Sequence, residues 1–129
     1  MQTIHIPVSP GELLDKITIL QIKQQRFSDR AKLANVAHEL ALLEQVWRDS
    51  GADNPQVAGL ISQLREINEL LWQVEDDIRD KEAVRAFDDD FIHLARSVYR
   101  HNDRRAALKK EINLLLGSDL VEEKGYQAY

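Results

Sequence analysis

The chain has 129 residues, of which 43% are hydrophobic and 30% are charged, and this composition indicates a folded, helix-rich protein. A formal net charge of −5 excludes a general electrostatic attraction to nucleic acid or to an anionic membrane. The absence of cysteine excludes disulfides and thiolate chemistry and is typical of cytoplasmic proteins. At this length we expect a single domain over residues 1–129.

The amino-terminal segment predicts a short strand over Gln2 to Val8, because Ile4 and Ile6 alternate with polar residues. A strand needs a partner for its backbone groups. The sequence leaves open whether the partner is the carboxyl-terminal tail or the same segment of a second copy. We expect neither a secretory signal nor a membrane span, since no basic segment precedes an apolar run and no apolar run approaches roughly 20 residues.

The rest of the chain predicts four helices, and capping residues mark where each begins. The predicted ranges are about 10–27 after Ser9, 28 or 29 to 49, 55–86 after Asn54, and 90–116 after an acidic run. Short turns between helices favour antiparallel neighbours. The predicted fold class is therefore all-α, an antiparallel bundle of about four helices with a short amino-terminal strand.

Two features of the helices predict a homodimer. The first helix is apolar on two sides, with Leu13, Ile17 and Leu20 on one face and Ile19 and Ile22 nearly opposite. Such a helix either lies centrally in the bundle or presents its second face to another subunit. The third helix extends over roughly 45 Å, so it leaves an overhang beside the shorter helices.

The inward face of the fourth helix changes from apolar to polar along its length. Phe91, Val98 and Ile112 belong to one apolar stripe, and Asn102, Arg105 and Lys109 fall on the same side in the middle of it. An amphipathic helix normally keeps charge off its buried face, because a buried cation is costly without a partner. If the third and fourth helices run antiparallel, polar residues of the third helix lie level with these side chains. The first helix offers further polar neighbours. The candidate ligand-binding residues are Glu12, Asp15, Lys16, Asn68, Glu75, His101, Asn102, Arg105 and Lys109.

Three interpretations of these residues remain open. In the first, Arg105 and Lys109 pair with Glu75 and Asp15 and set the register of the helices. In the second, a small anionic ligand such as a phosphate, a sugar nucleotide or a dicarboxylate neutralises the inward cations. In the third, the helix phase differs and the residues face solvent.

The sequence predicts no catalytic residue, metal or cofactor. Asp90 and His93 have a spacing that can share a metal, but the second pair and the facing carboxylates of a di-metal bundle are missing. There is no glycine-rich phosphate loop, and no serine lies in a nucleophile elbow. These absences favour a protein that is not an enzyme.

Two stretches resemble a known family: IPVSPGELLDKITILQIK at residues 6–23 and NDRRAALKKEINLLLGSDLVEEKGY at residues 102–126. The family is an uncharacterised group of short helical bacterial proteins, a domain of unknown function, and the resemblance spans essentially the whole chain. It implies no activity, but it implies a link to glycosyltransferase-like and other cell-surface polysaccharide genes. The signature residues that it implies here are Glu12, Asp15, Lys16, Asn102, Arg105, Lys109 and Asn113.

A second similarity is to the all-helical chorismate mutases, which place Arg and Lys around a dicarboxylate inside a helical dimer. The first helix here lacks the inward arginine that begins such a site. The leading hypothesis is therefore a cytoplasmic, dimeric accessory protein that acts through protein contacts. The alternative is a binder of, or an enzyme for, a small anionic metabolite held by Arg105 and Lys109.

Overall fold

A computed structural model describes residues 2–129 and consists of four helices. They are α1 (Pro10–Arg26), α2 (Arg30–Ser50), α3 (Pro55–Ala83) and α4 (Asp89–Leu115). The all-helical class is confirmed, and each helix begins within two residues of its predicted start. No helix in the described part of the chain is both long and apolar enough to cross a membrane.

Local capping explains where the helices begin. In each case the N-cap side chain accepts a hydrogen bond from the backbone N–H three residues later. The pairs are Ser9 with Glu12, Asp29 with Lys32, Asn54 with Val57, and Asp88 with Phe91. Each such bond satisfies one of the backbone donors that a helix start leaves free and contributes about 1 kcal/mol.

Helix α1 lies at the centre of the molecule and contacts α2, α3 and α4. Its side chains Leu14 and Ile17 join the main core, and Ile22 is also buried. The second apolar side of α1 is also largely covered within one chain, since Ile22 is buried and Ile19 is half-buried. Of the two explanations for its two-sided pattern, the central position is the one that the structure shows.

Helices α3 and α4 form a long antiparallel hairpin whose outer end extends beyond the core. The buried residues of α4 all lie in its last third, from Leu108 to Asn113. Towards the hairpin turn, Val84, Phe87 and Ile92 are more than half exposed. The predicted overhang is therefore present as an uncovered two-helix arm.

The predicted amino-terminal strand is wrong. No strand forms within residues 2–129, and Ile4 and Ile6 are 75% and 71% exposed. The reason is physical: alternation of side chains fits any extended segment, but only a partner edge makes a strand. The carboxyl-terminal tail, residues 118–129, does not supply that edge, because it folds back along α4.

Candidate functional site

Lys109 is the buried centre of a charged cluster where α1, α4 and the tail meet. Its Nζ donates to Glu12 Oε2 at 2.7 Å and to Glu122 Oε2 at 3.0 Å, and it lies 3.9 Å from Asp15 Oδ2. Burial by itself would lower the pKa of Lys109, but the three carboxylates outweigh it and raise the pKa above its ordinary value. Lys109 therefore carries its positive charge at neutral pH, and carboxylates of the protein itself surround that charge.

Two of the carboxylates around Lys109, those of Glu12 and Glu122, have lowered pKa values. The hydrogen bond from Lys109 lowers the pKa of Glu12. Hydrogen bonds from Lys124 and then from Lys109 lower the pKa of Glu122 to about 2. Glu12 also lies 3.7 Å from Lys16, and Glu122 lies 2.9 Å from Lys124. Three carboxylates thus meet three ammonium groups, and the formal charges of the cluster balance.

Asn68 of α3 connects this cluster to Arg105. Its Nδ2 donates to Asp15 Oδ1 at 2.9 Å and to Thr18 Oγ1 at 3.0 Å. Its Oδ1 accepts a longer hydrogen bond of 3.5 Å from Arg105 Nη1. Asp15, Thr18 and Asn68 are all buried, and no buried side-chain polar atom in the described residues lacks a partner. The polar network therefore joins α1, α3 and α4 without an unsatisfied group.

The start of α1 approaches the end of α4 closely enough to require glycine. Gly11 N donates to the buried Asn113 Oδ1 at 2.7 Å. A methyl group at Gly11 would lie 2.6 Å from the Lys109 carbonyl oxygen. This contact fixes the position of Lys109 relative to Glu12 and Asp15.

The tail reverses direction after α4 and contacts it in two places, at residues 122–123 and at Tyr129. Gly117 has a φ of 63°, a left-handed conformation that suits glycine at the end of a helix. Glu122 then contacts Lys109, and further along Tyr129 Oη donates to Asp103 Oδ2 at 2.7 Å. The Tyr129 ring also meets the Tyr99 ring edge-on at 4.9 Å between centroids. Because its O–H is held by a carboxylate, Tyr129 has a raised pKa.

Between these attachment points α4 and the tail border a half-open cavity of about 950 Å³. Its lining comprises Ala95, Val98, Tyr99, Asn102, Asp103, Arg105, Ala106, Lys109, Lys124, Tyr126, Gln127, Ala128 and Tyr129. Arg105 is half-buried in this wall. Across residues 2–129, no carboxylate oxygen lies within 4.0 Å of its guanidinium, in contrast to Lys109. Arg105 therefore presents a positive charge to the cavity that the protein does not neutralise by contact.

The predicted site residues fall into three groups. Five lie in the polar network: Glu12, Asp15, Asn68, Arg105 and Lys109. Asn102 lines the cavity beside them, and Lys16 lies at the exposed edge, paired with Glu12. Glu75 pairs instead with Arg79 on its own helix. His101 is half-buried on α4 and takes no part in the network.

Sequence reasoning missed Gly11, Thr18, Glu122 and Lys124. Glu122 had a signal: twelve residues follow the terminating Gly117, enough to run back beside Lys109. Gly11 had a weaker one, since a glycine in a first helical turn is unfavourable unless space requires it. The signature residue Asn113 is the one that makes that close contact.

The fold and the site together define an all-helical protein with a charged, partly buried cluster beside a cavity. The chain belongs to a family of unknown function, DUF6165, whose sequence profile matches residues 4–129. No curated protein and no solved structure matches the chain.

Proposed function

We propose that this protein binds a small anionic metabolite in the cavity between α4 and the tail, and that it acts by binding rather than by catalysis. The observation that carries the proposal is Arg105, a half-buried cation in the cavity wall without a carboxylate partner. The proposal corresponds to the second interpretation of the inward cations. Lys109 fits the first interpretation, in which an inward cation pairs with carboxylates of the protein, but its partners include Glu12 and Glu122 in place of Glu75.

The free-energy cost of partly burying Arg105 favours an anionic ligand beside it. Partial burial costs a cation part of its hydration, and a single 3.5 Å hydrogen bond to a neutral amide returns little of it. A guanidinium is suited to bidentate capture of a phosphate or carboxylate, because its N–H groups form a planar fork. A cavity of about 950 Å³ is also within the range of small-molecule sites.

The test is thermal unfolding with inorganic phosphate, acetate, malonate and nucleotide sugars, applied to the wild type and to two arginine variants. A ligand at about 100 times its Kd should stabilise the wild type by roughly 2.7 kcal/mol. Arg105→Ala should abolish this shift. Arg104→Ala is the matched control, because Arg104 is exposed and contacts Gln63 and Glu111 outside the cavity.

Stability without ligand separates this proposal from a purely structural role. If Arg105 serves a ligand, Arg105→Ala should lower the unliganded free energy of unfolding by about 1 kcal/mol, because Asn68 Oδ1 loses its long hydrogen bond while Asn68 Nδ2 keeps those to Asp15 and Thr18. A loss of about 3–5 kcal/mol would instead identify a structural ion pair. The absence of any shift at millimolar ligand would contradict the proposal.

The uncovered arm of the α3–α4 hairpin supports a second candidate function, protein association. Val84 is 75% exposed and Phe87 is 55% exposed at its tip. We propose that this arm pairs with a second copy to form a homodimer. Sedimentation should then give twice the 14.9 kDa chain mass, and Phe87→Glu should halve it. A single-chain mass for the wild type at micromolar concentration would refute the dimer.

The setting of both functions is also part of the proposal. We place the protein, as one domain over residues 1–129, in the bacterial cytoplasm and in a cell-surface polysaccharide pathway. The support is the resemblance carried by residues 6–23 and 102–126, together with the lack of cysteine. Loss of a surface polysaccharide on deletion of the gene would test the pathway.

A further inference from the structure

All three tyrosines of the sequence line the cavity between α4 and the tail. Tyr99 comes from α4, and Tyr126 and Tyr129 come from the tail. The two tail rings are 83% and 77% exposed, and Tyr99 is 39% exposed. Aromatic rings carry large apolar faces. Tyr99 and Tyr129 contact each other edge-on and Lys124 Nζ lies 5.9 Å from the Tyr126 centroid, so the remaining ring surface lies around one space rather than in the core.

The charges of the cavity wall favour a ligand with one anionic group. Lys109 and Lys124 belong to the balanced cluster described above, so neither contributes a free charge. Of the three cations that line the cavity, Arg105 is the one without a contacting carboxylate among residues 2–129. At the Tyr129 attachment point the lining includes the carboxylate of Asp103, which would repel a second anionic group of the ligand.

We propose that the ligand of this cavity consists of one phosphate or carboxylate group joined to a planar ring. The inference rests on the proposed anion-binding function and specifies the class of ligand. Arg105 holds the anionic group, and the tyrosine rings pack against the planar ring. The size of the cavity agrees, because a bare phosphate would leave most of about 950 Å³ empty.

Isothermal titration calorimetry with phenyl phosphate and methyl phosphate tests the ring directly, because the two probes share the anionic group. The wild type should bind phenyl phosphate about five- to tenfold more tightly. In the double variant Tyr126→Ala, Tyr129→Ala this ratio should fall towards one. Both residues lie on the exposed tail, so the helices should remain folded. The ratio is the readout, since a looser tail would weaken both probes alike.

Two further comparisons sharpen the test. Leu42→Ala is the control variant, because it shortens an exposed apolar side chain on α2, which contributes no residue to the cavity lining, and it should leave the ratio unchanged. In the wild type, 4-carboxyphenyl phosphate should bind no more tightly than phenyl phosphate, since its second anionic group finds no second unpaired cation in the cavity lining. Binding more than about tenfold tighter would overturn the single-anion assignment.

The outcomes distinguish this inference from the function on which it rests. Equal binding of the two phosphates, lost in Arg105→Ala, would overturn the ring assignment and leave the anion-binding function standing. A ring preference that survives in the double tyrosine variant would also overturn it. Failure of both probes to bind the wild type at millimolar concentration would overturn the function and the inference together.

Discussion

Replacing Lys109 with methionine tests whether the charged cluster holds the fold together. Methionine has a similar length and keeps the apolar contacts of the lysine stem, so the change removes mainly the charge. Three carboxylates lose their shared cation, at distances of 2.7, 3.0 and 3.9 Å. The expected result is a clear loss of stability, because the remaining charges repel one another and one of them is buried.

The exposure of each carboxylate sets the size of the loss. Breaking a buried ion pair costs about 3–5 kcal/mol when the remaining charge stays dry. Here the Glu12 and Glu122 side chains are 33% and 42% exposed and can regain water, whereas Asp15 is only 9% exposed. Asp15 also keeps its hydrogen bond from Asn68. We therefore expect the lower end, about 3 kcal/mol, which is a large part of the total stability of a small domain.

Urea unfolding at pH 7 measures the loss, with Lys110→Met as the matched control. The Lys110 side chain is 48% exposed and pairs only with Glu123, so its replacement should cost less than about 0.5 kcal/mol. Adding Asp15→Asn to the Lys109→Met variant should recover part of the loss, because it removes the buried charge and keeps an oxygen to accept from Asn68. Equal costs for the two lysine variants would refute the central role of Lys109.

Two more predictions concern the close contact of α1 with α4 and the pH dependence of the tail. Gly11→Ala should destabilise the protein by about 1–3 kcal/mol, since its methyl would lie 2.6 Å from the Lys109 carbonyl oxygen. Gly59→Ala has open space around it and should stabilise the protein by up to about 1 kcal/mol. Urea unfolding of both variants checks the pair, and equal effects would contradict it. The pKa of Glu122 is depressed from 4.5 to about 2, so its contribution to tail docking is complete above pH 4.5 and disappears as pH falls to about 2. Amide NMR shifts of the tail should report this loss, and Glu122→Gln should lack the docked shifts even at pH 7.

The sequence predicts the helices well because the signals that start and end them are local. Ser9, Asp29, Asn54 and Asp88 each bond to a backbone N–H three residues away, so a short window of sequence contains the whole interaction. The predicted strand at Gln2 to Val8 was wrong because a strand depends on a partner segment, which a local sequence pattern does not predict.

The charged cluster was predictable only in part, for the same reason. The stripe on α4 located Arg105 and Lys109, and antiparallel counting placed Asn68 at their level, where the structure has it. The partners of Lys109 depended on tertiary structure, namely the approach of α1 at Gly11 and the return of the tail at Glu122. Glu75 has suitable charge and spacing, but Arg79, one turn further on, is nearer.

The different surroundings of Arg105 and Lys109 follow from what the tail brings to each. The two cations lie one turn apart on the same side of α4, and both line the cavity. Beside Lys109 the tail contributes the carboxylate of Glu122, which completes a balanced cluster. From residue 125 onward the tail side chains that line the cavity with Arg105 are Tyr126, Gln127, Ala128 and Tyr129, none of which is acidic. The tail thus neutralises one cation and surrounds the other with uncharged and aromatic groups, which is why a ligand is assigned to Arg105 and not to Lys109.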